Sequence, residues 1–343
     1  MMQNGMGEGA IMQKTLLIGI TGNAVVHTDN DNFSVDTRFR MAKEAGFDYY
    51  DKTPPTGELE VYQRASSKYS LPIRAGGFYY TRGRDEPLLE WHMRVAKEIG
   101  SVVQNIQIKP RDASGKLVTD GEVAESYFLA AELGDKLGVT PSFEVHINMW
   151  SEHFGRVSAV GELVERRGVK FNITLDHSHV IFKIDNPREQ EVLNMRADVE
   201  AGRVILDPFK PGNVTSEWIT RNYVSHAHAR PSVPANPVNI WAKHPDGSFG
   251  RGVQYPFIKP APGEWHAEWN EDRLAPWKEV MRQLLAHHAA RTDSALGQIS
   301  MEIIPAPDYG GGAKYSLFDN NVACAQWIRS MWAQCQQSAA VAA

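Results

Sequence analysis

The chain has 343 residues, of which 42% are hydrophobic and 22% charged, enough to bury a large core and unlike the composition of a disordered protein. A net charge of −5 and a pI near 6.2 argue against a nucleic-acid partner, which calls for a basic field, and no apolar run reaches the ~20 residues that span a bilayer. Cys324 and Cys335 fall in one helical stretch, about 16 Å apart at 1.5 Å per residue; this is too far for a disulfide and fits a reducing cytoplasm.

Residues 1–14 are rich in Gly and Met and lack the basic start and long apolar centre of a signal peptide. They are expected to form a disordered tail outside the fold. A first strand is predicted at Thr15–Ile20, then a helix near Thr37–Ala45 closed by Gly46. A second strand at Phe47–Tyr50 precedes a helix near Glu58–Tyr69. A third strand at Ile73–Tyr80 precedes a helix at Leu88–Ile99 stopped by Gly100, and a fourth at Val102–Ile108 precedes an amphipathic helix at Glu122–Leu137 stopped by Gly138.

Strand five is predicted at Pro141–Ile147, with a helix near Ser158–Arg167 stopped by Gly168; strand six at Phe171–Leu175, with a helix at Arg188–Glu200 stopped by Gly202. An irregular piece, Val204–Trp218, leads to strand seven at Tyr223–Ala229. Strand eight is predicted at Ile299–Ile304 after a helix at Trp277–Ala290, and a last helix covers Asn320–Gln334. Eight β-then-α alternations predict an α/β fold, a (β/α)8 TIM barrel, as one domain over residues 15–335 with a C-terminal tail at 336–343. Residues 230–275 form a long insertion after strand seven, rich in Pro, Gly and Trp (Trp241, Trp265, Trp269). An insertion of this kind is expected over the active face, as a substrate lid or a subunit contact.

Four segments end an apolar run with a metal-ligand side chain: Phe143-Glu144-Val145-His146, Leu175-Asp176-His177-Ser178-His179, His226-Ala227-His228 and Met301-Glu302. A carboxylate at the end of a buried strand is costly unless paired. A barrel gathers its strand ends at one rim, so Glu144, Asp176, His228 and Glu302 predict one divalent-cation site. Three carboxylates with one imidazole and no thiolate favour Mn²⁺, with Mg²⁺, Co²⁺ or Zn²⁺ admitted. Four protein ligands leave room for two substrate oxygens on a six-coordinate ion.

His226 and His228 share one face of their strand, with His228 nearer the rim and preferred as ligand. His146, on the same face as Glu144, is a candidate for the catalytic proton transfer, with Glu144 and Glu302 as alternatives. His179 and Arg230 are expected to bind substrate oxygens. Lys52 and Lys109 stand just past the ends of strands two and four and can add charge at the rim.

At these residues the chain resembles the xylose-isomerase-like barrel superfamily, over roughly residues 15–335. That group holds sugar epimerases and isomerases, hydroxypyruvate isomerase, inosose dehydratases and the endonuclease IV group. The resemblance implies a single metal on Glu144, Asp176 (with His179 three residues on), His228 and Glu302. His146 departs from the epimerase pattern and is similar to the histidine of C-glycoside deglycosidase α subunits, which cleave 3-oxo-glycosides by elimination beside Mn²⁺. That closer likeness implies a carbohydrate lyase acting on a keto-sugar or 3-oxo-glycoside, with aldose-ketose isomerisation or ketose 3-epimerisation as the alternative. It also implies a small β subunit, which the insertion can dock, or a homo-oligomer. A metal-free sugar-binding barrel is a further reading. Strands two to four carry no histidine, which with the acidic charge argues against an apurinic endonuclease.

Overall fold

The computed structural model describes residues 14–342; the expected N-terminal tail therefore lies, except for Lys14, outside the described residues. Eight parallel strands close into a barrel: β1 (Leu17–Thr21), β2 (Tyr49–Asp51), β3 (Ile73–Tyr80), β4 (Val103–Ile108), β5 (Thr140–Val145), β6 (Ile173–Leu175), β7 (Val224–Ala229) and β10 (Gln298–Met301). Between β7 and β10, the strands β8 (Asn239–Lys243) and β9 (Phe249–Gly250) pair antiparallel as a separate small sheet. The predicted barrel and its strand order are as observed.

The helices follow the same grammar. Gly100 and Gly138 end theirs with φ of +82° and +72°, a conformation that L-residues with a Cβ adopt only under strain. The fourth barrel helix starts at Asp120, two residues earlier than the pattern suggests, because Thr119 and Glu122 form a capping box. The predicted helix at Arg188–Glu200 is broken instead into Pro187–Gln190, a 3-10 turn at Val192–Asn194 and Arg196–Glu200. Leu193 and Asn194 take positive φ, and this bend carries Met195 into the core, where its Sδ receives the Phe154 N–H at 3.5 Å. A further helix on the β6–β7 connection, Val214–Thr220, begins inside the stretch expected to be irregular. It buries Trp218 against Phe154 and Ser158.

The last helix runs over Leu317–Ala342, so residues 336–342 continue it and do not form a separate tail; Ala339, Ala340 and Ala342 are strong helix formers. Cys324 and Cys335 are free and buried on it. Among the described residues, no helix is long and apolar enough to cross a membrane.

The insertion has a small core of its own, Val233, Tyr255 and Leu274 with Phe257, Trp265 and Trp269 packed on it. It braces the loop after β10. The Asn239 amide donates to the carbonyls of Pro307, Tyr309 and Gly311, each at 3.0 Å. Asp308 accepts from the Arg251 N–H and from His244, both at 2.9 Å. Apart from Arg230 at its start, no residue of the insertion borders the central cavity, so its observed contacts are those of a brace for that loop.

Candidate metal and proton-transfer site

Register decides which side chains meet. His228 pairs with Ser300, Ser300 with Gly19, and Gly19 with Tyr49, across β7, β10, β1 and β2. Glu144 pairs with Thr174 on β6, two residues before Asp176. Side chains on one face of a strand recur every second residue, so this register brings four strand ends to one place. Glu144, Asp176, His228 and Glu302 each offer a ligand atom, all within 4.8 Å of one another.

Each member of the cluster is held differently. Glu144 is fully buried, and its Oε2 accepts from Asn105 Nδ2 at 2.6 Å and from the Gln107 amide. Burial opposes its charge, but His228 and His146 hold its pKa down to about 2. Asp176 Oδ1 accepts from the Ser178 hydroxyl at 2.5 Å and N–H at 3.1 Å, while Oδ2 lies 2.5 Å from Arg230 Nη1 and 3.1 Å from His179 Nε2. Against its burial, Arg230 and His179 keep Asp176 well below the usual carboxylate range. Glu302 is more open to the cavity, with Oε2 2.7 Å from Arg230 Nη2.

His228 joins the set. Its Nδ1 is 2.9 Å from both Glu144 Oε1 and Glu302 Oε2. Burial alone would discharge it, yet Glu302, Glu144 and Asp51 raise its pKa well above the ordinary histidine value. A proton on Nδ1 between two carboxylates thus does part of the work of a cation.

Donor chemistry and spacing both fit a divalent ion. Neighbouring donors on a six-coordinate ion with bonds of about 2.1 Å lie about 3 Å apart, which matches the two 2.9 Å separations. Charge points the same way. Asp51, Glu144, Asp176 and Glu302 bring four negative charges and Arg230 one positive; with His228 neutral, as a metal ligand must be, the sum is −4 + 1 = −3, which a dication reduces to −1.

A second group of residues faces the cavity across from the carboxylates. The His146 Nδ1 contacts the Ile147 carbonyl, which only accepts, so Nδ1 is the donor there, and in the neutral ring Nε2 is the acceptor. The Tyr309 hydroxyl, 2.9 Å away, donates to that Nε2. The Arg230 guanidinium lies 4.0 Å over the Tyr309 ring, and the rings of His146 and His179 are 4.3 Å apart. His179 itself is sealed beneath the surface, and burial first of all takes its pKa down to about 4; it meets Asp176 and does not border the cavity.

The cavity measures about 190 Å³, with Asp51, His146, His228, Arg230, Glu302 and Tyr309 on its wall. Lys52 also borders it, its Nζ donating to Asn23 Oδ1 at 3.1 Å. Lys109 stands outside the lining, its Nζ 4.4 Å over the Tyr79 ring.

The structure thus places the four predicted ligands, His146 and Arg230 together. Sequence reasoning passed over Asp51, Asn105, Gln107 and Tyr309. Asp51 ends a short apolar strand just as Glu144 and Asp176 do, so the same rule applied to β2 finds it. Asn105 and Gln107 are polar residues two apart in a strand otherwise buried on both faces, which marks an inward polar row. Tyr309 sits in a Gly-rich loop and carries no local signal.

No protein-family model and no curated protein sequence matches the chain. Solved structures do. A 3-keto-D-glucoside 4-epimerase from E. coli matches with TM-score 0.52 and 14% identity, over 92% of this chain and 100% of that one. A D-allulose 3-epimerase from Methylomonas sp., solved in complex with D-allulose, matches with TM-score 0.55 and 11% identity over 93% and 98% of the two chains. A xylose isomerase-like TIM barrel protein from Mycobacterium smegmatis in complex with magnesium matches with TM-score 0.53 and 12% identity, over 94% and 98%. The chain has the fold of the xylose-isomerase-like TIM barrels; at these identities the likeness is one of fold.

Proposed function

We propose that the chain is a divalent-metal-dependent enzyme that moves a proton next to the carbonyl of a sugar, giving epimerisation or isomerisation of a ketose or 3-oxo-sugar. The observation that carries this reading is the set of three carboxylates and one histidine at the barrel rim, with His228 Nδ1 at 2.9 Å from two carboxylate oxygens. The fold is shared with sugar epimerases, which favours this outcome over bond cleavage.

Glu144, Asp176, His228 and Glu302 would hold the ion, Mn²⁺ by donor preference and Mg²⁺ by the example of a structural neighbour. Such an ion would polarise the substrate carbonyl and stabilise the negative charge of an enediolate. Glu144 suits the role of ligand only, because Asn105 and Gln107 engage one oxygen and its pKa is held near 2. Proton transfer is left to two groups on the cavity wall. Glu302 presents a carboxylate oxygen, and His146 presents its Nε2, in contact with the Tyr309 hydroxyl. Arg230 would fix a substrate oxygen while holding Asp176 and Glu302 apart.

A second reading, elimination from a 3-oxo-glycoside, draws on His146: a base distinct from the metal ligands can remove a proton while a substituent leaves. The Tyr309 hydroxyl can supply a proton to that leaving group. The test is an assay in D₂O on chelated and Mn²⁺-loaded protein, with a free ketose and with a 3-oxo-glucoside. Metal-dependent deuterium incorporation without loss of a substituent is the expected result. Release of an aglycone would establish the elimination instead. Protein that binds no metal and exchanges no deuterium would overturn both.

A further inference from the structure

Tyr49 and Ser300 have no part in the chemistry above, yet with Asp51 they form a connected polar chain beside the metal cluster. Gly19 begins it. A Cβ at that position would stand 2.4 Å from the Tyr49 ring, so the glycine leaves a gap on β1 through which the tyrosine crosses from β2 to β10. The Tyr49 hydroxyl meets the Ser300 hydroxyl at 2.8 Å. The Ser300 hydroxyl donates to Asp51 Oδ2 at 2.6 Å, and so must accept from Tyr49. Asp51 Oδ2 then stands 3.4 Å from the Nε2 of both His226 and His228.

His228 can bind a cation through Nδ1 only if Nδ1 carries a lone pair, and a neutral imidazole then holds its proton on Nε2. That proton has no hydrogen-bond partner of normal geometry among the described residues, and Asp51 is the acceptor it faces. A ligating histidine whose other nitrogen donates to a carboxylate is fixed in tautomer and ring orientation and is a stronger ligand.

We infer that Asp51, held by Tyr49 through Ser300, is the positioning residue for His228: it keeps the proton on Nε2 and so presents Nδ1 to the metal. The inference rests on the proposed metal site. The same three residues, Asp51, His226 and His228, also lie within ligand distance of one another, so a second ion bound there is the rival to be eliminated.

The experiment is calorimetric titration of the full chain with Mn²⁺ alone, on wild type, Asp51→Asn and Tyr49→Phe. The d–d absorption of bound Co²⁺ and the urea stability of the metal-free proteins are recorded alongside. Wild type is expected to take one ion per chain. Asp51→Asn should bind it roughly 10- to 100-fold more weakly, with a shifted Co²⁺ spectrum. Tyr49→Phe, which keeps the ring and removes only the hydroxyl, should weaken binding several-fold with only a small loss of urea stability, and carries the test if Asp51→Asn does not fold. Unchanged affinity in both variants would overturn the inference and leave the proposed function standing. Two ions in wild type, with one lost in Asp51→Asn, would overturn it in favour of a second metal site. No uptake by wild type would overturn the proposed function and the inference together.

Discussion

Two buried ionic clusters lie on the same side of this barrel, and they are built on opposite principles. Around Glu152, Lys183 Nζ approaches at 2.8 Å and Arg251 bridges to Glu189, so two carboxylates meet two cations. The remaining atoms are also occupied: Glu152 Oε2 accepts the Asn148 N–H at 2.6 Å, and Lys183 donates to the Glu189 carbonyl at 2.8 Å. Around His228, four carboxylates meet a guanidinium and one histidine, and His228 Nε2 and Glu302 Oε2 lack partners of normal hydrogen-bond geometry. A balanced, fully bonded cluster is a structural joint; a cluster with an excess of negative charge and imperfect hydrogen bonds suits a functional site.

Substitution at the two sites should separate those roles. Glu302→Gln is expected to lower the rate of deuterium exchange by roughly 10³-fold while leaving the metal-free protein no less stable in urea, since it removes a like charge. Activity near wild type would take Glu302 out of the proton transfer. Glu152→Gln should do the reverse: a loss of about 3–5 kcal/mol of unfolding free energy, with residual activity proportional to folded protein. A fully stable Glu152→Gln would show that the joint is dispensable.

Removing metal tests the second cluster alone. With Mn²⁺ at about 100 times its Kd, the folded state should gain roughly 2.7 kcal/mol, and chelation should return the melting temperature to that of metal-free protein. An unmoved melting curve would mean that the charge deficit is met some other way. Acid tests the first cluster. Burial opposes charge on Glu152, but Lys183 and Arg251 depress its pKa from 4.5 to about 2. The stability it contributes is therefore complete above about pH 4.5 and is lost as pH falls toward 2. A smaller acid-induced loss is expected in Glu152→Gln, read from urea midpoints across that window.

Much of this was legible in the chain because periodicity and residue type report local facts. The apolar runs give the barrel, and a carboxylate or histidine at the end of a buried strand gives Glu144, Asp176, His228 and Glu302. What escaped depends on the path of the chain through space. The bend at Leu193–Asn194 exists to bury Met195, and no short-range signal announces it. Tyr309 reaches His146 only because Asn239, 70 residues earlier, holds its loop. The Glu152 joint unites residues from three separate connections, each of which reads alone as a surface charge.

The bonds from Tyr49 to Ser300 and from Ser300 to Asp51 span 251 and 249 positions of sequence. They cross the seam where the first strands meet the last. Contacts so distant along the chain form late, after the loop-closure entropy of the whole barrel has been met. A partly folded chain can already display Glu144 and Asp176, but it cannot yet aim His228. Metal capture would therefore wait for ring closure.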